Sequence, residues 1–219
     1  MKKRFNMKKL SIIFALLLGI LLICSACGKQ DPFEGFAGEN GIEIESIEAY
    51  SGPYVEDGSD EEAQNVMQLK VKNVGGSDIQ LAYIKLADKA GNDYSFKITT
   101  LLNGESMVIF EENRAEYSED INIVSAELQD AVYFDPVPDM HADKVAVSVE
   151  DGAALVCNVS DAELHDLYVY YKNYDGETAF GGITYRISVP MLAPGEFIEV
   201  PAAHLSASVS KLIFVTYGE

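Results

Sequence analysis

An all-β fold, with two antiparallel sandwiches in tandem behind a cleaved amino-terminal signal helix, is the architecture this sequence predicts, on three observations. The first is a hydrophobic period of two. Met67, Leu69 and Val71 alternate with Gln68, Lys70 and Lys72, and Leu167, Val169 and Tyr171 alternate with Tyr168, Tyr170 and Lys172, which sets one face of each strand on a core and the other in water. The second is an internal repeat. At an offset of 85 residues LKVKNV at 69–74 lies over ALVCNV at 154–159, matching Asn73 with Asn158, and further on Tyr83 falls on Tyr168 and Gly91 on Gly176. The offset then grows to 91, because the second copy holds six more residues around GGITYR, and LLNGE at 101–105 covers LAPGE at 192–196. The third is negative: no uninterrupted helical stripe follows the first 27 residues. Short strands with turns between them, in units of roughly 80 to 95 residues, favour sandwiches of immunoglobulin-like type. The tryptophan and disulfide of antibody domains are missing, since the chain has no Trp and only Cys157 follows Cys27.

The elements follow in chain order. Lys2, Lys3, Arg4, Lys8 and Lys9 come first with no acidic residue among them, and the chain is then apolar from Leu10 to Ile23 apart from Ser11 and Gly19. Those 14 residues fall short of the roughly 20 that a membrane-crossing helix needs. A basic start, a short apolar run and the small residues Ser25 and Ala26 together have the pattern of an export signal cut after residue 26. The segment ending CSAC resembles the lipobox of bacterial lipoproteins. That resemblance implies that Cys27 becomes the new amino terminus and carries lipid, while Cys24, which follows the bulky Ile23, leaves with the signal. Acyl chains contribute about 0.8 kcal/mol per buried CH2, so two or three of them hold a protein on a membrane.

Residues 27–41, rich in Gly and acidic groups, read as a flexible tether. Strands are expected near 42–50, 65–73, 79–87, 94–100, 106–111 and 121–134, making 42–135 the first domain. The segment FDPVPDMHAD at 134–143, with Pro136 and Pro138, is the boundary, since proline resists helix and central strand alike. Strands near 144–150, 153–159, 166–173, 183–190, 196–200 and 211–217 make 142–219 the second domain. Turn signals separate them: NVGGSD at 73–78, DG at 175–176 and APG at 193–195. The second copy, with NVSDAELHDLYVYYKNYDGETAFGGITYR and LAPGE, resembles the immunoglobulin-like modules of bacterial surface lipoproteins, including those called FxLYD domains. The resemblance spans about 75 residues, implies a binding or spacer role, and carries over no catalytic residue.

Charge narrows the partners. The chain has 16 basic and 35 acidic residues, and loss of the five basic residues of the signal leaves 11 against 35, a net −24. Such a surface repels phosphate backbones, so no nucleic acid is expected as a partner. No second His or Cys stands at zinc-ligand spacing from His141, His165 or His204, and there is neither a G-x-S-x-G elbow nor a phosphate-cradling loop. The glycine pairs at 75–76 and 181–182 read as turns. The acidic run EDGSDEE at 56–62 offers the oxygen ligands Ca2+ takes but lacks the EF-hand spacing, and is expected to be a solvated loop. Cys157, in an apolar strand, reads as a buried, inert thiol. No catalytic residue, metal ligand or cofactor is therefore assigned.

One cluster does suggest recognition. Tyr168 and Tyr170 should point away from the core that Leu167 and Val169 enter, and the inserted hairpin adds Phe180, Tyr185 and Arg186, residue types that dominate binding surfaces. The opposing expectation is that these side chains fill the contact between the domains. The sequence therefore predicts a lipid-anchored protein facing the extracytoplasmic side, non-enzymatic, that binds or scaffolds an envelope protein partner through this aromatic surface. A solute- or glycan-binding receptor is the alternative, which a single pocket at the domain junction would favour, and an envelope enzyme is the third.

Overall fold

The computed structural model describes residues 33–218. Cys24, Cys27 and the whole export signal lie outside the described residues. A short helix, Phe36–Asn40 (α1), is followed by thirteen strands: Ile42–Tyr54 (β1), Glu61–Asn73 (β2), Ile79–Asp88 (β3), Asp93–Leu101 (β4), Ser106–Phe110 (β5), Ile123–Tyr133 (β6), Val145–Glu150 (β7), Ala153–Asn158 (β8), His165–Asp175 (β9), Thr178–Phe180 (β10), Tyr185–Val189 (β11), Phe197–Pro201 (β12) and Ser210–Gly218 (β13). The fold is thus nearly all β. Among the described residues no helix is long and apolar enough to cross a membrane. The segment expected to be tether up to residue 41 differs in its last turn, where α1 buries Phe36 against the core of the first sheets.

Alternation dictates the layering. In the first half β1, β2 and β5 form one antiparallel sheet and β4, β3 and β6 another. Their inward residues, among them Leu69, Val71, Ile84, Phe96, Ile98 and Ile109, share a single apolar core. In the second half β12, β8 and β7 form a sheet in the same order, and β9 lies between β11 and β13 as β3 lies between β4 and β6. Their core holds Val156, Leu167, Val169, Ile187, Val189 and Val215. Each inward aliphatic side chain contributes about 1.5–3 kcal/mol by leaving water.

The repeated asparagine explains itself in hydrogen bonds. Asn73, 1% exposed, donates from Nδ2 to the carbonyls of Ser77 (2.8 Å) and Leu101 (3.0 Å), and its Oδ1 accepts from the Gly75 amide (3.1 Å). Asn158, fully buried, donates likewise to Ala162 (2.8 Å) and Leu192 (2.9 Å) and accepts from the Ser160 amide (2.9 Å). Each amide closes the turn after its own strand; Asn73 also ties it to Leu101, the last residue of β4 in the opposite sheet, and Asn158 ties it to Leu192, just beyond β11. The NGE and PGE turns match too, with Gly104 N bonding Asn73 O and Gly195 N bonding Asn158 O.

Three side chains depart from expectation. Lys172, placed in water by alternation, is 1% exposed, because the outer face of β9 at that end is covered by the first half. Cys157 is half-buried on the outward face of β8 instead of buried in the core. Glu56, at the head of the acidic run, is folded in against the second half. Three of the four other acids of that run are engaged in pairs: Asp57 and Glu61 hold Arg114 at 2.6 and 3.5 Å, and Asp60 meets His204 at 2.9 Å.

Candidate functional site

The six residues that distinguish the second copy from the first form the seam between the halves. Strand β10 runs parallel to β5, pairing Thr178, Ala179 and Phe180 with Ser106, Met107 and Val108, while it also pairs antiparallel with β9. One continuous sheet thereby passes from β1, β2 and β5 into β9, β11 and β13. The Gly182 carbonyl accepts from the amide and the hydroxyl of Thr99, both at 2.7 Å, and the Thr184 hydroxyl lies 2.9 Å from that of Thr99. From the first half, Glu56 Oε1 accepts the amides of Phe110 (3.0 Å) and Gly182 (2.8 Å).

The double glycine is therefore a close-approach element and not only a turn. Gly181 has φ 85° and a Cβ there would overlap Val55, while a Cβ at Gly182 would overlap the Lys97 carbonyl oxygen and sit 3.2 Å from Glu56 Oε2. Only glycine lets the two backbones meet.

Two ionisable groups are shut inside this seam. Lys172 Nζ donates to the Ile183 carbonyl at 2.5 Å, and burial pushes its ammonium down to about 7 against the opposing pull of Glu56 and Glu105. Burial raises Glu56, opposed by the Gly182 and Phe110 amides. Glu56 Oε2 is buried with no hydrogen-bond partner. The contrast is Glu111, also buried, whose carboxylate takes the amides of Ser95, Asn113 and Ala115. Because Lys172 titrates lower folded than unfolded, the unfolded chain binds more protons between about 7 and the ordinary lysine value, and stability rises with pH there. Urea denaturation between pH 7 and 9.5 is expected to show stability climbing by roughly 1 kcal/mol per pH unit. In Lys172→Met that slope should vanish; an unchanged slope would show that Lys172 does not cause it. The raised phenols of Tyr54, Tyr174 and Tyr185 titrate above this window.

Beside the seam lies a cleft of about 570 Å3. Its floor is the outer face of β9 and β13, one wall is the proline segment 134–141, and the other is β4 with Ile183 and Thr184. Tyr170 and Phe214, opposite one another across β9 and β13, stack with centroids 4.2 Å apart and planes within 12°. Phe134 stands at 72° to Phe214, 5.4 Å away, so the three rings form a corner. Two lining residues have left-handed backbones, Thr100 at φ 52° and His141 at φ 48°. For a β-branched residue such as Thr100, buried to 4% exposure, that conformation costs about 1–2 kcal/mol.

The five recognition residues do not form a single patch. Tyr168, Tyr170 and Arg186 share the outward face, with the Arg186 guanidinium 4.7 Å over the Tyr168 ring, and of these only Tyr170 lines the cleft. Phe180 packs in the seam against Tyr50 and Phe110. Tyr185 points to the opposite face of β11, stacked between Tyr171 and His204 at 5.0 and 5.1 Å. Among the described residues no group of three or more His, Cys, Asp or Glu is placed to hold a metal ion. Phe134, Phe214 and Ile183 are cleft residues that strand alternation alone did not single out. No protein-family model matches the chain, and no curated protein matches it significantly.

Proposed function

We propose that this chain is a lipid-anchored, extracytoplasmic binding protein without enzymatic chemistry, built of tandem immunoglobulin-like sandwiches, whose ligand sits in the cleft beside the seam. The observation that carries the reading is the cleft itself: a cavity within the size range of ligand sites, cornered by three aromatic rings, with two strained backbones in its lining. Strain of that kind persists where surrounding structure holds it, and it gathers at ligand clamps. The basic and apolar start ending at Cys27 supports the anchor, and the acidic surface supports a role away from nucleic acid. A protein partner on the neighbouring face is favoured by one observation, the Arg186 and Tyr168 pair, which lies outside the cleft.

The test is made in the native membrane. Val137, 70% exposed on the cleft rim, is replaced by a photo-crosslinking residue and the cells are irradiated. An adduct is expected, with its yield cut about tenfold by Tyr170→Ala, a loss of about 1.4 kcal/mol. No adduct, or full yield in the variant, would sink the cleft reading. In the same cells Cys27→Ala should move the protein from membrane to soluble fraction, and retention would remove the lipid anchor from the account.

A further inference from the structure

Helix α1 sets how closely the body of the molecule stands to its anchor, an inference that rests on acylation of Cys27. Phe33 and Phe36 pack against the core of the first half, and Phe36 N bonds Phe33 O at 3.0 Å. The helix ends against the turn at 73–77. There Val74 N bonds Gly41 O at 2.8 Å, and a Cβ on Gly41 would lie 2.7 Å from the Gly75 Cα. Glycine at both positions lets the two backbones touch. The chain is therefore part of the folded body from Phe33 onward, and only the five residues 28–32 separate it from Cys27. Six Cα steps reach at most about 20 Å.

That end of the first half has a surface suited to so short a distance. Helix α1, the 73–77 turn and Tyr133 surround a hollow of about 620 Å3. On its rim Val74 and Tyr133 are each 46% exposed, and tyrosine, with an apolar ring and a polar tip, gathers at the depth of lipid headgroups. Glu39 on the same rim and Glu34 ahead of α1 are exposed carboxylates, which stay in water and stop this end short of the hydrocarbon. The long sides of the sandwich are less suited. Glu43 and Glu48 on β1 and Glu127 and Asp130 on β6 are exposed, so a body lying flat would press carboxylates against lipid phosphates. The net −24 of the exported part acts in the same direction.

We infer that the α1 end rests on the headgroup layer of the protein's own membrane through Val74 and Tyr133, with the first sandwich standing upright from it. Gln80 and Phe134, which follow Ile79 and Tyr133 of the hollow, line the cleft, so that end of the cleft lies nearest the bilayer.

The test uses the acylated protein, with Cys157→Ser removing the other cysteine of the exported part, in vesicles of phosphatidylethanolamine and phosphatidylglycerol. A fluorophore is attached through Val74→Cys or Ala90→Cys, both exposed positions. Strand β3 carries Ala90 away from the α1 end by about 30 Å. Nitroxide on the lipid headgroups should quench position 74 several-fold more than position 90, and Tyr133→Cys should report as position 74 does. Nitroxide deep in the acyl chains should quench none of them. Equal or reversed quenching at 74 and 90, or quenching of 74 from the acyl chains, overturns this inference and leaves the anchor in place. A fluorophore attached at Cys27, or protein that fails to float with the vesicles, overturns the anchor and this inference with it.

Discussion

Gly182→Ala is expected to part the two halves of the molecule. The added methyl has no space, because the Lys97 carbonyl oxygen occupies its place and Glu56 Oε2 stands 3.2 Å behind. Backbone cannot retreat as a side-chain tip does, so the 178–184 segment must lift from β4 and β5. That movement would break the bonds of Gly182 with Thr99 and Glu56 and leave Lys172 buried beside a displaced carbonyl acceptor. A cost of roughly 3 kcal/mol follows, at the upper end for overpacking. Denaturant unfolding should change with it, from one transition to two as each half loses the support of the other. Gly176→Ala is the control: its φ is 60° but nothing lies within 4 Å of the new methyl, so only the backbone strain of about 1 kcal/mol is expected. Equal behaviour of the two variants would show that the seam does not couple the halves.

Asn158→Ala and Asn73→Ala should each destabilise by about 2–4 kcal/mol, because each removes two bonds donated to backbone carbonyls and one accepted from a backbone amide. Conversion to Asp should be worse, since a carboxylate oxygen would face the Leu101 or Leu192 carbonyl where an N–H now donates. Thermal or urea denaturation measures both. Losses below about 0.5 kcal/mol, the range of ordinary surface changes, would mean that these asparagines are not the turn locks their bonds describe.

The all-β character was legible because alternation is a local signal: Leu69, Val71, Leu167 and Val169 point inward as their spacing requires. Asn73 and Asn158 could be matched in sequence, and the physical reason for the match, a buried amide closing a turn, needed the carbonyls of Leu101 and Leu192, distant in sequence, to be seen. The seam was not legible. Alternation assigns Lys172 to water correctly for an isolated sheet, and only the presence of the first half over that face buries it. Gly181 and Gly182 look like any turn glycines until Val55 and Lys97 are placed against them. Tyr170 was found because an outward aromatic on a strand is conspicuous, whereas Phe134 was hidden in a segment whose prolines mark a boundary.

If the seam exists to build a binding cleft, the variant that opens the seam must also empty the cleft. The most direct measurement is the photo-crosslinking yield at position 137 in the Gly182→Ala protein, taken beside the unfolding curve of the same preparation. The account predicts two unfolding transitions together with loss of the adduct, because Thr99 and Thr184 on one wall and Tyr170 and Phe214 on the floor no longer face one another. Two transitions with an undiminished adduct would contradict it, and would place binding on one half alone.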